Sequence, residues 1–429
     1  MASTIVALAS GRPPAGVAVV RLSGPAAGPV LAGLSAAPLP SPRRLVMRRL
    51  AGPAGPIDHT LVVWFPSPGS ATGEDVAEFH LHGGPAVVSG LIEAVLAHDG
   101  VRLAEPGEFT RRAFENGQLD LAQVEGLADL VAAETSAQRQ QALSLAGGAL
   151  SALADGWRAR CLTLLAEAEA ALDFAEDEAD VAERLDEAAA ASLAAMADEL
   201  DRILAESTRA ARIRDGLTIV VTGPPNVGKS SLVNMLSQRE AAIVTAIPGT
   251  TRDAIEVPLD LGGIAAMLID TAGLRETDDP VEREGVARAR ARAAQADLVL
   301  HVTDDPDLPP PPGGLLILNK RDLHHRAPPA GHFSLSASTG EGVDTLRRHL
   351  AAWAQGVTRP GESVPLAHAR HRAAFATAAT ELRQAAAAPL PELRAESLRQ
   401  AAFALGRITG RIGIDDVLDE IFSRFCIGK

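Results

Sequence analysis

The run GPPNVGKSS at Gly223–Ser231 concentrates more chemistry than any other stretch of the chain. It follows the β-branched segment Leu217–Thr222 and precedes the helix-like Ser231–Ser237. Strand, glycine loop and helix in that order are what a phosphate-binding loop requires. Gly223 and Gly228 let the backbone curl so that successive N–H groups, around Asn226 and Val227, face one anion. The helix N-terminus adds its partial positive charge. Lys229 is placed to reach the β- and γ-phosphates, and the Ser230 hydroxyl to complete the shell of a Mg²⁺ ion, with Ser231 following in the helix. The pattern implies binding of a nucleoside triphosphate.

The base is specified further along. Leu315–Leu318 reads as a buried strand running into Asn319-Lys320-Arg321-Asp322. A buried Asp322 carboxylate there accepts hydrogen bonds from the N1–H and the exocyclic amine of guanine. Adenine, with an acceptor at N1 and no amine beside it, would leave that carboxylate unpaired. A site built on such bonds rejects the analogue lacking them by roughly 10⁴ or more. Ser336-Ala337-Ser338, after another short apolar segment, fits a backbone clamp on the guanine O6. The sequence reads GTP rather than ATP.

Two further segments complete the engine. Asp270-Thr271-Ala272-Gly273 follows the strand-like Ala265–Ile269; Asp270 can hold Mg²⁺ through water, and the Gly273 N–H can sense the γ-phosphate. Upstream, Ile247-Pro248-Gly249-Thr250-Thr251-Arg252-Asp253 supplies Thr251 as the Mg²⁺ ligand of a switch segment. Order and disorder in such a segment turn hydrolysis into movement. Small signalling GTPases carry a water-orienting Gln directly after the DTAG-type glycine. Leu274 stands at that position and has nothing to orient a water with. Catalysis must come from a monovalent cation, a partner's arginine, or an acid of the following stretch (Glu276, Asp278, Asp279, Glu282, Glu284), most of which read as a solvated loop.

The elements that position these groups fall into four blocks. Residues 1–118 alternate short strands with turns (Thr4–Ala9, Gly16–Leu22, His59–Phe65, Asp75–Leu81) before a helix near Ala86–Ala97, an α+β module. Residues 119–210 turn helical, with Leu121, Val124, Leu127, Leu130 and Val131, then Trp157, Cys161, Leu164 and Leu165, at helix spacing. Residues 211–351 form the GTPase block. Helical patterning returns over 352–429, with Val417, Leu418, Ile421, Phe422 and Phe425 on one face of a helix Asp415–Phe425. The simplest architecture inserts the GTPase domain into a helical domain made of the second and fourth blocks, because the termini of such domains lie close together. The proline run Pro309–Pro312 reads as a stiff linker or shortened loop.

Composition narrows the class. At 429 residues the chain is long enough for two to four domains, and 47% hydrophobic residues supply their cores. With 3% aromatics and no Tyr, those cores must be aliphatic and Ala-rich. A formal charge of −14 excludes a protein that coats nucleic acid non-specifically, although Arg43-Arg44, Arg48-Arg49 and His368–Arg372 remain either solvated faces or contacts for a folded RNA. Two cysteines, Cys161 and Cys426, make no disulfide framework. The start MASTIVALAS lacks a charged leader region and no apolar run approaches a membrane span, so a cytoplasmic protein is expected. The acidic stretch Asp173–Asp180 lacks the glycine and spacing of a Ca²⁺ loop. His80 and His82 alternate on a strand without a third ligand in sequence and read as packing or substrate-contacting residues. The terminal Cys426-Ile427-Gly428-Lys429 is not a prenylation box, since its last residue is Lys. Its thiol is either incidental or carried to a docked site.

Taken together, GPPNVGKSS, IPGTTRD, DTAGLRE, NKRD and SAS, the N-terminal GVAVVRLSG, GEDVAEFHLHGGP, PGEFTRRAFENG and LDLAQVEGLADL, and the terminal FCIGK resemble the MnmE/TrmE family of tRNA modification GTPases over essentially the whole chain. The resemblance implies a multi-domain protein: an N-terminal α+β tetrahydrofolate-binding domain that dimerises, a split all-α helical domain, and an inserted α/β Ras-like P-loop G domain. It implies a homodimer working on tRNA with an FAD-dependent partner subunit, in a heterotetramer, to place an aminomethyl-type group on carbon 5 of the wobble uridine. GTP with Mg²⁺, K⁺ and 5-formyl- or methylene-tetrahydrofolate are the implied cofactors.

By the same resemblance, Thr245 and Ala246 join Ile247–Thr251 as nucleotide contacts, and Asn226, Thr250 and the Thr245 and Ile247 carbonyls hold K⁺. Ser230 and Thr251 hold Mg²⁺, and Glu282 orients the attacking water. Arg21, Glu78 and the tail's Lys429 match the folate site, together with Gln118 where the family usually has Lys. A neutral amide there hydrogen-bonds a pterin or glutamate but cannot neutralise its charge. Ile247 replaces the usual Ala, of little consequence where only its carbonyl is used. Cys426 is expected to serve tRNA modification rather than GTP hydrolysis. A ribosome-assembly GTPase would need a C-terminal RNA-binding domain, and a self-assembling GTPase of the dynamin or septin type would need membrane-facing basic or amphipathic segments. The sequence offers helices and CIGK instead.

Overall fold

The computed structural model describes residues 3–174, 179–238, 256–270, 294, 296–305, 307–308, 314–323, 332–358, 366–412, 418, 421–422, 425 and 428, with backbone alone at 170–174 and 179–188. Contacts divide the chain into two compact units. One comprises Met1–Ala128, Leu145–Arg160 and Ala402–Lys429; the other comprises Asp129–Ser144 and Cys161–Ala401.

The first unit is built on β1 (Thr4–Leu8), β2 (Ala15–Ser23), α1 (Ala27–Ser35), β3 (Val46–Gly52), β4 (Gly55–Phe65), β5 (Val76–Gly83), α2 (Pro85–Leu96), β6 (Val101–Leu103) and α3 (Glu108–Glu115). The strands form a sheet of order β3-β4-β5-β2-β1-β6, antiparallel except for the β1–β6 pair. Alternation sets its faces: Ala77, Phe79 and Leu81 of β5 are buried against Leu31 and Leu91 of the covering helices, while Glu78, His80 and His82 point the other way. The strands and the helix read from the sequence are present within a few residues. The pattern gave no sign of α1, β3, β6 or α3 as elements. Arg48 and Arg49, taken together as a basic cluster, lie on β3, where successive side chains face opposite ways.

Helical segments follow: α4 (Leu121–Ala132), α5 (Ser136–Ala146), α6 (Ala149–Phe174) and α7 (Ala179–Asp215). A reciprocal capping box opens α4, with Asp120 Oδ1 accepting from the Gln123 N–H at 2.9 Å and Gln123 Oε1 from the Asp120 N–H at 3.0 Å. Leu121 and Val124 of α4 are buried with Ile421, Phe422 and Phe425, the expected apolar stripe of the C-terminal segment. Its Val417 lies outside the described residues, as do Pro309–Pro312 and residues 175–178 of the acidic stretch. Cys161 is fully buried.

In the second unit, β7 (Leu217–Thr222), α8 (Lys229–Gln238), β8 (Glu256–Asp260), β9 (Ala265–Asp270), β10 (Leu298–Thr303), β11 (Gly314–Leu318) and β12 (His332–Ser334) precede α9 (Val343–Thr358), α10 (Ala369–Ala387) and α11 (Pro391–Gly406). The sheet runs β12-β11-β10-β7-β9-β8, parallel but for the antiparallel β8 edge. Its β7, β9, β10 and β11 read as apolar runs because both faces are covered. Leu232 and Leu236 of α8 and Leu346 and Leu350 of α9 join that core. The chain builds outward to β9 and β8 on one side of β7 and to β10, β11 and β12 on the other. The crevice beyond the carboxyl end of β7 is therefore the switch point where such sheets bind ligands. α7 runs unbroken to Asp215, past the expected change of pattern near residue 210, and packs along α10. Among the described residues no helix is long and apolar enough to cross a membrane.

The cluster His368–Arg372 is only partly solvated. His368 bonds Asp129 at 2.7 Å, Arg372 donates to the carbonyls of Leu366 and Ala367, and His371 is fully buried. The start of α10 is thus tied into its own unit through His368 and Arg372, while Arg370 and Arg372 keep part of their surface.

Candidate functional site

The loop between β7 and α8 is fixed by backbone geometry. Gly223 has φ +139°, and a Cβ there would collide with the Val302 carbonyl of β10, so only glycine fits. Asn226 also takes a left-handed conformation, φ 62°, at the exposed tip of the loop. Lys229, buried to 8% exposure, folds back so that Nζ donates to the carbonyls of Gly223 at 2.9 Å and Pro224 at 2.7 Å. Its ammonium is thereby held inside the loop that curls around it. Ser230 Oγ donates to Oδ2 of the buried Asp270 at 2.7 Å, placing a hydroxyl and a carboxylate side by side at the head of α8. Two hard oxygen donors so placed suit Mg²⁺. Ser231, one residue on, is exposed, and Val227 is buried.

Asn319 ties the site together, a role the sequence reading missed. Its Nδ2 donates to the Val227 carbonyl at 2.7 Å, and its Oδ1 accepts from the Ala337 N–H at 2.9 Å. One buried amide thus joins the phosphate loop to the Ser336–Ser338 loop. Ser336 is buried, its Oγ 2.9 Å from Ser338 Oγ and accepting the Thr339 N–H at 3.2 Å. Lys320 has φ 61° and pairs with Asp304 at 2.7 Å. Asp322 is a correction: it is exposed, not buried, because the 3-10 turn Arg321–Leu323 carries it out beyond the end of β11. Glu282 and the stretches Thr245–Thr251 and Thr271–Gly273 lie outside the described residues, as do Leu274 and its following acids, Cys426 and Lys429.

In the other unit, Arg21 and Gln118 line one cavity of about 440 Å³ with Thr72, Phe109, Thr110 and Leu127. Arg21 Nε donates to Glu78 Oε1 at 2.8 Å across the β2–β5 pair, and its guanidinium lies 5.8 Å from the Phe109 ring centroid. A planar, charge-bearing ligand is matched by such a lining: an aromatic ring, a guanidinium and an amide. The loop of residues 70–74, which contributes Thr72 to the lining, is held by α3 and its C-cap. Asn116 donates to the Thr72 carbonyl at 2.7 Å, and Arg112 pairs with Glu74 at 2.8 Å and Glu108 at 3.1 Å. Burial alone would raise the Glu108 carboxyl, but hydrogen bonds from Arg102, the Glu105 N–H and Arg112 hold it below its ordinary value. His82 pairs with Asp58 at 2.8 Å and His80 lies 3.5 Å from Glu78. Among the described residues no three metal-ligating side chains are gathered.

Comparison with known proteins decides the family. The model described as GTP-binding protein TrmE N-terminus matches residues 4–118, and the MnmE helical domain model matches 121–426. The tRNA modification GTPase MnmE of Rhodopseudomonas palustris is 49% identical over 437 residues, covering 99% of each chain. The chain belongs to the MnmE family. Likewise, the MnmE of Methylorubrum populi is 50% identical over 437 residues, covering 99% of this chain and 98% of its own, and that of Rhodospirillum rubrum is 49% identical over 454 residues. The G domain of the T. maritima FeoB iron transporter aligns with 32% of this chain and 99% of its own at 25% identity, with a TM-score of 0.22. The MnmE fold class, an N-terminal α+β module, a helical part and a P-loop α/β domain, is the one the sequence implied.

Proposed function

We propose that this MnmE-family chain hydrolyses GTP in a K⁺-stimulated cycle and, with an FAD-dependent partner subunit, installs an aminomethyl or carboxymethylaminomethyl group on carbon 5 of the wobble uridine of tRNA. Family membership makes it a tRNA modification GTPase. The observation that carries the site assignment is the Asn319 bridge, which holds a lysine-bearing phosphate loop against the loop assigned to the guanine.

Asp322 reads the guanine edge and Ser336–Ser338 clamp its O6. Lys229 turns to the phosphates, while Ser230 and Thr251 hold Mg²⁺, backed by Asp270. Asn226, Thr245, Ile247 and Thr250 would hold K⁺, which when bound would supply positive charge against the phosphates. Glu282 orients the water, replacing the Gln absent at Leu274. Around Arg21, Glu78, Gln118 and Lys429 the N-terminal domain binds a tetrahydrofolate, which supplies the one-carbon unit when bound. Cys426 serves the modification as nucleophile, acid–base group or positioning residue.

We assign residues 1–118 to the folate-binding and dimerisation domain, 119–210 and 352–429 to the helical domain, and 211–351 to the G domain. The working unit is a cytoplasmic homodimer completed to a heterotetramer by its partner. Nucleoside analysis of tRNA from a deletion strain, complemented with the parent gene, tests the reading. Loss and recovery of the modified wobble uridine support it. Intact tRNA with defective ribosomal subunits would favour a ribosome-assembly switch, and intact tRNA with normal ribosomes a structural GTPase.

A further inference from the structure

Helix α3 has only eight residues, yet three of its sides are occupied. Glu108 and Arg112 enter the ion-pair network with Glu74 and Arg102. Phe109, Thr110 and Ala113 line the cavity that holds Arg21 and Gln118. The remaining side, Gly107, Arg111 and Phe114 at positions i, i+4 and i+7, carries the C-terminal segment. The Arg111 guanidinium lies 5.1 Å from the Phe422 ring centroid, and the Phe114 and Phe422 rings are 6.4 Å apart. Gly107, the N-cap with φ 69°, meets the Phe422 backbone itself: a Cβ there would run into the Phe422 carbonyl oxygen and stand 3.1 Å from its carbon. The segment comes close again at Gly428, which lies against the Leu8 carbonyl of β1.

We infer that α3 is the positioning element of the C-terminal segment: its Gly107–Arg111–Phe114 side seats Phe422, so that one short helix sets the distance between the terminal residues and the cavity on its other side. This rests on the reading that the terminal residues serve tRNA modification. Gly107 is a positioning residue, touching neither nucleotide nor cavity. A rotating side chain can yield to an added methyl group, but a backbone carbonyl moves only with its chain. Gly107→Ala must therefore displace the segment.

The test uses the full chain with its partner subunit and three variants. Gly100→Ala is the control, since Gly100 has a similar φ of +75° in the same unit with nothing within 4 Å of its Cβ position. It brings the backbone strain without the collision. Phe422→Leu attacks the seat from the other side and leaves the left-handed N-cap alone. Hydrogen exchange of the C-terminal peptide containing Phe422 and Phe425 reads the seat directly. Gly107→Ala and Phe422→Leu are expected to speed that exchange about tenfold over parent and Gly100→Ala. They should lower the kcat of wobble-uridine modification with KM for tRNA and GTP turnover unchanged. Exchange no faster in Gly107→Ala and Phe422→Leu than in Gly100→Ala overturns the seat. Faster exchange with modification at the parent rate upholds the seat and overturns the functional reading of the terminal residues.

Discussion

The side-chain amide of Asn319 spans the Val227 carbonyl and the Ala337 N–H, 2.7 Å to one and 2.9 Å to the other. Asn319 is 3% exposed, so water cannot replace either bond. A Cβ on Gly228 would also strike its Nδ2, which shows how closely the two loops are held. Asn319→Ala leaves a buried carbonyl and a buried N–H unpaired, a loss of about 1–3 kcal/mol for each such group. Urea unfolding of the variant should show a lower midpoint, and GTP binding should weaken with it. Unchanged stability and affinity would mean that the bridge holds nothing.

In the proposed site, base choice turns on Asp322. An Asn there presents a donor where guanine also donates, so Asp322→Asn should weaken GTP binding by roughly 10²–10⁴ and favour xanthosine triphosphate. Calorimetric titration with both nucleotides checks it. Tight ATP binding by the parent protein would refute the assignment.

Asn226 stands at the exposed tip of the phosphate loop in a left-handed conformation that Asn tolerates. With K⁺ held there, steady-state GTP hydrolysis should run at least about tenfold faster in KCl than in NaCl at equal ionic strength, and Asn226→Ala should abolish the difference. Equal rates in the two salts would exclude a cation role.

For Glu282 the diagnostic is kinetic. If it orients the water, Glu282→Ala should lower kcat by about 10²-fold or more and leave GTP affinity nearly unchanged, the mark of an interaction made only in the transition state. Single-turnover hydrolysis beside equilibrium binding separates the two quantities.

Cys426→Ser should keep K⁺-stimulated GTP hydrolysis and lose the modified wobble uridine, read by nucleoside analysis of tRNA treated with the variant and the partner subunit. Modification at the parent rate would make the thiol incidental.

Local patterns were legible wherever one segment carries its own geometry. Leu217–Thr222 is a strand with the same ends that its β-branched run suggested, and Gly223 is glycine for a reason visible in the collision with Val302. What escaped depends on residues far apart in sequence. Nothing around Asn319 announces a bond to Val227 or to Ala337. α3 opens on a left-handed glycine without a side-chain cap and is short enough to pass for a turn. Asp322 was expected to be buried on the strength of its chemistry, whereas its position follows from a 3-10 turn that the tetrapeptide alone does not reveal. In the N-terminal cavity, Arg21 and Gln118 were named by resemblance, but Phe109, which lines it with them, belongs to a helix the pattern did not show.

A single residue, Gly216, separates the end of α7 from the start of β7. The last turn of α7 is clamped by Arg212 to Asp297 at 2.9 Å and by Arg214 to Asp129 at 3.1 Å, while Asp297 also accepts the Thr218 N–H at 2.9 Å. The 37 residues of α7 span roughly 55 Å at about 1.5 Å each. With its base fastened to the strand that feeds the phosphate loop, the helix is a long arm on a short pivot. A tilt of about 5° at the pivot would sweep the distal end, together with α10 packed along it, through roughly 5 Å, close to the height of one helical turn.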